Sequence, residues 1–288
     1  MTSKVDLVMW TLNGAETLPF VLKRVGEVIP KSSVNKRVIV DDGSSDNTLE
    51  IARSFGWQVI SNEGRGISDG ANTALKHVES EWFASFEQDL LLSKDWWRKI
   101  PAHLNHPRVV VASGIRLPNQ PLALRKIQEY VIDRYQRRST GLESFLYGKT
   151  LDNTIYKTEA VKALGGFPKL SVSAGVDNIL AKQVSLHDLD WKVDFAVKST
   201  HLRKGLGQEL SHYYWYGTCS VSLDPLLFKR NVNLNAMILR FLFSPMRGLE
   251  IAIRKTSVIA IVYYPMLRFA ILKGVIDGLK QGGSQFRK

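Results

Sequence analysis

The chain has 288 residues, of which 44% are hydrophobic and 23% are charged, a composition that excludes an intrinsically disordered protein. Its single cysteine, Cys219, excludes an internal disulfide and a thiol-rich metal cluster. The formal net charge is +12, and residues 229–288 alone carry +9, which predicts an anionic partner surface, either nucleic acid or lipid head groups.

Strands and helices alternate along the first third of the chain. Apolar runs and helical spacing predict four strands, at residues 4–11, 38–40, 57–61 and 82–86, and three helices, at residues 18–29, 48–55 and 68–78. This alternation predicts a mostly parallel, Rossmann-like α/β sheet. The first ten residues enter a strand without an apolar signal core, so we do not expect export through a cleavable signal peptide.

Acidic residues follow two of these strands. Asp41 and Asp42 end the strand at residues 38–40, just before a turn and a helix, and Glu87-Gln88-Asp89 ends the strand at residues 82–86. Open α/β sheets bind their ligands at the carboxyl ends of strands, so both positions are candidate ligand sites. The alternative for each is a solvated acidic turn that binds nothing.

The next hundred residues carry weaker signals. A strand is predicted at residues 108–113, whereas residues 117–147 are polar, basic and aromatic and contain no recognisable motif. Asp177 precedes a helix predicted at residues 178–186, and a last strand is predicted at residues 195–203.

The character of the chain changes after Gly207. Three apolar and aromatic segments follow, at residues 212–228, 234–253 and 257–279. In the last segment the uncharged run at residues 256–267 has twelve residues and is shorter than the roughly 20 that span a bilayer as a simple helix. Pro245 and Pro265 predict kinks in these helices.

Basic residues recur within these apolar segments. Arg240, Arg247 and Arg254 are spaced by seven, so on one helix they share a face and form a basic stripe suited to anionic lipid head groups. The last segment would still cross a membrane if Arg268 and Lys273 reached the interface by snorkelling. The alternative is a soluble helical cap.

Three motifs occur in a characteristic order: VMWTLNGAETLPFVLKRV, then VIVDDGSSDNTLEIA, then NEGRGISDGANTALKHVESEWFASFEQD. In this order they resemble those of family 2 glycosyltransferases with the GT-A fold, especially the dolichyl-phosphate-mannose synthase branch. The resemblance covers roughly residues 4–203. It implies a GT-A catalytic domain at residues 1–206, followed by a membrane-embedded or interfacial helical region at residues 207–288.

The resemblance implies a nucleotide-sugar donor. In the family the matching aspartates contact the base or ribose of the donor. The diphosphate of the donor binds cations, such as an arginine in a glycine-flanked loop. The residues implied in donor binding are Thr11, Asn13, Glu16, Asp41, Asp42, Arg65, Glu87, Gln88, Asp89, Arg203 and Lys204. For Arg65 the alternative is a solvated loop arginine.

The resemblance also implies a divalent cofactor, Mn²⁺ or Mg²⁺. Glu87-Gln88-Asp89 stands where the family has its DxD motif, and hard cations prefer carboxylate oxygens. Glu87 replaces the family's first aspartate, so Asp89 is the safer ligand. His201 matches a family position that often reaches the metal or diphosphate, and its alternative is a structural histidine.

Asp177 is the implied catalytic residue. Gly175-Val176-Asp177 stands where the family usually has Gly-Glu-Asp, so Val176 departs from the pattern and Asp177 keeps it. In an inverting transfer such a carboxylate takes the proton of the acceptor hydroxyl as that oxygen attacks the anomeric carbon. The alternative is that Asp177 only caps the helix that follows.

The resemblance and the tail together predict a membrane-bound inverting glycosyltransferase with its catalytic domain on the cytoplasmic face. It would transfer a hexose, mannose from GDP-mannose, to a polyprenyl or dolichyl phosphate or to a lipid-linked glycan. One alternative is a UDP-sugar-dependent glycosyltransferase. The other is a non-catalytic basic nucleotide- or nucleic-acid-binding protein, but the chain lacks the motif of a known nucleic-acid module, so no nucleic acid partner is expected.

Overall fold

An eight-stranded sheet with the strand order β3-β2-β1-β4-β7-β6-β8-β5 organises the first part of the molecule. The structure is a computed structural model that describes residues 4–119, 121–137, 145–170, 172, 174–203 and 205–281. The strands are β1 Val5–Thr11, β2 Val34–Asp41, β3 Gln58–Ser61, β4 Trp82–Glu87, β5 Leu90–Leu91, β6 Val109–Pro118, β7 Thr154–Lys157 and β8 Asp190–His201.

Eleven helices are seen within the described residues. They are α1 Leu18–Val28, α2 Thr48–Ser54, α3 Gly66–Lys76, α4 Trp96–Lys99, α5 Leu122–Arg137, α6 Thr158–Ala163, α7 Val176–Leu186, α8 Gly205–Phe228, α9 Leu234–Leu242, α10 Ser244–Lys255 and α11 Ala260–Lys280. Short 3-10 helices lie at Lys31–Ser33 and Pro101–Asn105.

The chain divides into two compact units. One consists of residues 1–116, 148–170 and 176–201 and contains the sheet, and the other consists of residues 117–147, 171–175 and 202–288. The second unit therefore takes in the segment 117–147, in which the sequence shows no motif. It resumes at residue 202, five residues before the predicted start of the helical region at residue 207.

The sheet is mixed, which corrects the prediction of a mostly parallel one. β1 runs parallel to β2 and β4, and β2 runs parallel to β3. β7 is antiparallel to β4 and β6, and β5 is antiparallel to β8. Parallel neighbours need a crossover that returns the chain to the same end of the sheet, and the regular alternation of strand and crossover helix stops after β4.

The core of the first unit is built on β1, all seven residues of which are buried. One of them, Asp6, is a buried carboxylate whose acceptors are filled, because Glu79 N, Ser80 N and Asn35 Nδ2 donate to it at 2.7, 2.8 and 2.8 Å. These bonds fix the start of β1 against the chain that enters β4. The opposite, carboxyl ends of both strands are thereby held at one edge of the sheet.

The second unit is a group of helices with a buried centre. Leu124, Ile127 and Tyr130 of α5 pack with Ile251 of α10 and with residues of α11. The backbones of α8 and α11 approach closely where each presents a glycine, since a Cβ at Gly217 or Gly274 would collide with the other helix's carbonyl. Among the described residues, no helix combines the length and apolar character that crossing a bilayer requires.

The middle apolar segment is two helices, not one. α9 ends at Leu242 and α10 begins at Ser244, because Pro245 in the first turn of α10 has no N–H to continue the preceding helix. Arg240 therefore lies on α9, whereas Arg247 and Arg254 lie on α10, so the predicted stripe does not occupy one helix face. Arg247 and Arg254 are instead paired with Glu250.

Candidate functional site

The carboxyl ends of three parallel strands meet at one edge of the sheet. Thr11 at the end of β1 pairs with Asp41 of β2, and the preceding Trp10 pairs with Glu87 of β4. Thr11 Oγ1 donates a hydrogen bond of 3.4 Å to Asp41 Oδ1. Parallel pairing thus brings the two acidic turns predicted from the sequence to the same place.

Two aspartates, the last residue of β2 and the residue that follows it, line this edge. Asp41 is buried and accepts bonds from Gly43 N at 3.0 Å, Ser44 N at 2.9 Å and Ser44 Oγ at 2.5 Å. Asp42 is more accessible and accepts from Asn62 Nδ2 at 2.7 Å and Gly66 N at 3.0 Å. Because the bonds of Asp41 hold the turn itself, Asp42 is the better placed of the two to meet a ligand.

The loop after β1 is tied to the turn after β2. Asn13, at a positive φ of 48°, accepts a bond from Ser45 N at 2.9 Å through Oδ1. Ala15 N donates to Asp46 Oδ2 at 3.1 Å. Burial alone would raise the pKa of Asp46, but hydrogen bonds from Thr48 and Ala15 outweigh it and lower that pKa. Glu16, in the loop after β1, has an exposed side chain.

Gln88 serves as a clamp between β1 and β4. Its Nε2 donates to Leu12 O at 3.0 Å, and its Oε1 accepts from Leu12 N at 3.0 Å. A Cβ at Gly14 would lie 2.6 Å from this amide, so the glycine leaves room for the clamp. Both polar atoms of this side chain are thus bonded to backbone, which holds the acidic turn in position. The predicted donor contact of Gln88 stays a prediction.

Glu87, Asp89 and His201 form a cluster suited to a metal ion. The short strand β5 pairs Leu90 with His201, which brings the end of β8 beside the acidic turn. His201 Nε2 lies 3.0 Å from Asp89 Oδ2 and 3.9 Å from Glu87 Oε2, and the candidate ligand atoms all lie within 4.8 Å of one another.

This donor set fits a divalent cation. Two carboxylate oxygens suit Mn²⁺ or Mg²⁺, and a nearly buried imidazole facing them adds a nitrogen ligand of fixed orientation. The spacing is short enough for one ion to reach all three side chains. The three metal ligands predicted from the sequence are thus brought together.

Two charged residues that the sequence did not single out complete the cluster. Arg116 is the one charged residue of β6, and its Nη1 lies 2.5 Å from Asp152 Oδ2 and 3.8 Å from Glu87 Oε2. Asp152 is fully buried, and its second oxygen has no hydrogen-bond partner among the described residues. A lone arginine near the end of an otherwise uncharged buried strand is the signal that could have revealed it.

Asp177 lies in the first turn of α7 and is half-buried. Burial raises its pKa to about 6, although the nearby guanidinium of Arg116 acts to lower it, and the carboxylate of Asp152 adds to the rise. Asn178 N donates to Asp177 Oδ1 at 2.8 Å. A carboxylate with this pKa is ionised at neutral pH and accepts a proton far more readily than an ordinary aspartate.

The three predicted cations differ in their surroundings. Arg65 precedes α3 with an exposed side chain, and its N–H donates to Asp69 Oδ2 at 2.9 Å. Arg203, in the second unit, donates through Nη1 to both oxygens of Glu209 at 3.2 Å, so any diphosphate would compete with that carboxylate. Lys204 lies outside the described residues.

Comparison with known proteins gives one family. The family model described as Glycosyl transferase family 2 matches residues 6–165, more than half of the chain. An undecaprenyl-phosphate 4-deoxy-4-formamido-L-arabinose transferase of Shewanella sediminis (strain HAW-EB3) is 26% identical over 170 residues, which cover 56% of this chain and 50% of that protein. The chain spans half or less of the length of the curated relatives it matches.

Solved structures share the fold over nearly the whole chain. The mannosyltransferase PcManGT from Pyrobaculum calidifontis, in complex with GDP-Man and Mn²⁺, aligns with a TM-score of 0.69 at 16% identity, covering 98% of this chain and 88% of its own. S. aureus TarS 1–349 in complex with UDP-GlcNAc aligns at 0.55 and 15% identity, covering 97% and 92%. At these identities the likeness shows the fold alone.

Proposed function

The chain belongs to glycosyl transferase family 2, and from that premise we propose that it transfers a hexose from a nucleotide sugar to a lipid-linked acceptor. The observation that carries the proposal is the cluster of Glu87, Asp89 and His201 at the carboxyl edge of a GT-A-like mixed sheet. Two of the solved structures named above bind nucleotide sugars, one of them with Mn²⁺.

Different residues at this edge of the sheet bind different parts of the donor. Asp42 meets the base or ribose, while the exposed Arg65 supplies a forked cation for the diphosphate. Glu87, Asp89 and His201 would hold the metal, which when bound neutralises charge on the leaving nucleotide. Arg116 lies on the other side of Glu87 and faces its carboxylate with a positive charge.

Asp177 takes the acceptor's proton. Its carboxylate is ionised above about pH 6 and stands near the Arg116–Asp152 pair, which faces the same cluster through Glu87. As the acceptor hydroxyl attacks the anomeric carbon, the O–H proton passes to Asp177, the new C–O bond forms, and the nucleoside diphosphate leaves with the electrons of the broken bond. Attack from the face opposite the leaving group inverts the anomeric configuration.

Two acceptors of the same class fit this chemistry. The Shewanella relative is named for undecaprenyl phosphate, which supports a polyprenyl or dolichyl phosphate as acceptor. A phosphate oxygen is already ionised at neutral pH and needs no base, whereas a sugar hydroxyl on a lipid-linked glycan does. The raised pKa of Asp177 therefore favours the lipid-linked glycan.

Calorimetric titration tests the donor. With Mn²⁺ present we expect GDP and GDP-mannose to bind more tightly than UDP and UDP-hexoses. Chelation of the metal should lower the affinity for whichever nucleotide binds. The mannose assignment rests on the resemblance to dolichyl-phosphate-mannose synthases and is supported by a structural neighbour that binds GDP-Man. Tight UDP binding without a GDP response would replace mannose by a sugar carried on UDP.

The second unit is the proposed membrane contact, with the catalytic domain on the cytoplasmic face, where the leaflet is anionic. Large apolar side chains on and between its last three helices are exposed. They are Ile238, Leu239, Leu242, Phe243, Met246, Leu249, Ile253, Val258, Ile259, Val262, Met266, Phe269 and Leu279. Together with a tail charge of +9, such a surface suits the interface of an anionic bilayer.

Removing part of this apolar surface tests the contact. Changing Met246, Leu249 and Ile253 to glutamine should weaken co-sedimentation with anionic vesicles by about tenfold or more, because each side chain loses apolar burial in lipid. Transfer to lipid acceptors should fall in parallel, while nucleotide binding stays unchanged.

The matched control changes Phe20, Phe55 and Leu186, which are exposed apolar residues of the first unit, to glutamine. That variant should sediment like the unmodified protein. Equal loss in both variants, or full transfer to lipid acceptors by the first, would contradict a membrane contact through α10.

A further inference from the structure

A charged cavity of about 560 Å³ lies within the second unit, where α5 faces α10. Its volume falls in the range of small-molecule sites. It is lined by Tyr130, Asp133, Arg134, Arg137, Arg247, Glu250, Arg254 and Lys255. The lining residues of α5 are spaced by three and four, as are those of α10, so each helix turns a single face toward the cavity.

The cavity carries more positive charge than its carboxylates neutralise. Arg247 and Arg254 both pair with Glu250, the latter at 3.2 Å, and Lys255 Nζ lies 2.6 Å from Asp133 Oδ2. Two carboxylates thus serve three cations, and Tyr130 OH accepts a further bond from Arg247 at 2.9 Å.

Two more cations, Arg134 and Arg137, line the cavity. Within the part of the chain that the structure describes, Arg134 and Arg137 form no ion pair or hydrogen bond through their guanidinium groups. The cavity therefore holds a surplus of three positive charges. An ion-pair network that served packing alone would be expected to balance its charges, because neighbouring cations repel.

The outer face of α10 points to the kind of anion. Met246, Leu249 and Ile253 are 69%, 50% and 72% exposed and follow one another along the helix. This apolar face lies directly beside the face that carries Arg247 and Glu250, because the two sets are offset by one residue along the helix. A basic cavity bordered by exposed apolar side chains matches a lipid, whose phosphate is anionic and whose chains are apolar.

We propose that this cavity binds the phosphate of a membrane lipid, with Arg134 and Arg137 as its free contacts. Guanidinium groups suit this ligand because their planar N–H pairs meet phosphate oxygens two at a time. The proposal goes beyond the transfer reaction, since every residue that carries it lies in the second unit. It specifies a phosphate-binding cavity there, in addition to the apolar contact.

The test measures vesicle binding of the full chain in chelator, so that no metal recruits phosphate to the first unit. The vesicles are phosphatidylcholine with or without 20% phosphatidic acid, roughly one charged lipid in five, which is enough to give an anionic surface. Changing Arg134 and Arg137 to glutamine should weaken binding to phosphatidic acid vesicles about tenfold. The matched control changes Lys23 and Arg53, exposed cations of the first unit, to glutamine and should lose less than about twofold.

A second variant changes the charge in the opposite direction. Glu250→Gln raises the surplus of positive charge by one, so we expect tighter binding to the same vesicles by about threefold. A gain in affinity with an unchanged melting temperature would separate this effect from poor folding of the variant. Nucleotide binding in Mn²⁺ should be unchanged in all of these variants, which separates failure of this site from failure of the proposed transfer reaction.

Competition with inorganic diphosphate shows whether the cavity binds the phosphate of a lipid or a soluble phosphate compound. Vesicle binding that depends on Arg134 and Arg137 and is not competed by millimolar diphosphate supports the lipid. A rise in the melting temperature with diphosphate that disappears in the double variant, without any vesicle effect, would assign the cavity to a soluble phosphate and overturn the lipid assignment. Equal vesicle binding by the double variant and its control, with no diphosphate effect, would overturn the site.

Discussion

Changing Asp177 to asparagine is expected to lower the rate of transfer to a lipid-linked sugar by about a thousandfold. The amide keeps the size of the side chain but cannot take a proton from the acceptor hydroxyl. Transfer to a bare lipid phosphate should fall less than about tenfold, because that oxygen needs no base. Nucleotide binding, measured by calorimetry, should stay unchanged, since the proposed role of Asp177 is toward the acceptor and not toward the donor.

The pH dependence carries the same signature. The pKa of Asp177 is raised to about 6 by burial, with Arg116 opposing and Asp152 adding to the rise, so the basic form predominates above pH 6. The rate with a lipid-linked sugar should therefore rise from pH 5 to pH 7 and then level off. This rise in rate between pH 5 and pH 7 should be absent when the acceptor is a lipid phosphate.

Stability should change in the opposite sense to activity. Because the folded state raises this pKa from its ordinary value of 3.8 to about 6, the free energy of unfolding falls as the pH rises between these two values, and the whole loss is present above about pH 6. At pH 8, Asp177→Asn should accordingly melt at a higher temperature than the unmodified protein. Its free energy of unfolding should be larger by on the order of 1–3 kcal/mol.

Asp188→Asn is the matched control for these measurements. Asp188 is exposed, and its positive φ of 56° is readily adopted by asparagine, so the same chemical change should leave rate, pH profile and melting temperature unaltered. If Asp177→Asn left the rates with both acceptors unchanged, Asp177 would be a helix residue without a role in proton transfer.

Local pattern was sufficient to predict the parallel half of the sheet and its helices in the first unit. The alternation of apolar strands and amphipathic helices predicted β1 to β4 and α1 to α3 within a few residues, because both periodicities are visible in short windows. Parallel pairing then required that Asp41 and Glu87 lie at the same edge. The ligand edge was thus predictable without knowledge of any long-range contact.

Contacts between distant strands were not predictable. Arg116 meets Asp152 across 36 positions because β7 lies antiparallel to β6, and no local pattern specifies that pairing or its register. The hydrogen-bond partner of a flexible polar side chain was equally unpredictable from the sequence. Gln88 bonds to the backbone of Leu12 and Arg203 bonds to Glu209, and only the folded chain supplies those partners.

The helical unit shows a different limit. Its apolar segments were evident, but the division into α9 and α10 depends on one proline, and the joining of α5 to α10 and α11 depends on tertiary packing. Residues 130–137 of α5, part of a polar, basic segment with no motif, thereby supply half of the lining of a cavity. Sequence spacing predicted a basic stripe, whereas packing turned two of its arginines toward Glu250.

Changing Asp89 to alanine is expected to abolish metal-dependent nucleotide binding and to lower transfer at least a thousandfold, since a metal contributes several kcal/mol of charge stabilisation in such sites. Asp89 is the carboxylate nearest His201, at 3.0 Å, so its loss leaves the imidazole and one distant oxygen. Titration of nucleotide in Mn²⁺ and in chelator should give the same weak affinity for this variant, and two different affinities for the unmodified protein.

Glu87→Ala should have a smaller effect, and the geometry explains why. Glu87 Oε2 lies 3.9 Å from His201 Nε2 and is shared with Arg116 at 3.8 Å, so part of its charge is already neutralised. Glu159→Ala, which removes an exposed carboxylate of the same unit, is the control and should change nothing. Equal transfer in chelator and in Mn²⁺ by the unmodified protein would show that the acidic turn only supports the fold. A loss with Glu87→Ala as large as with Asp89→Ala would show instead that both carboxylates hold the ion equally.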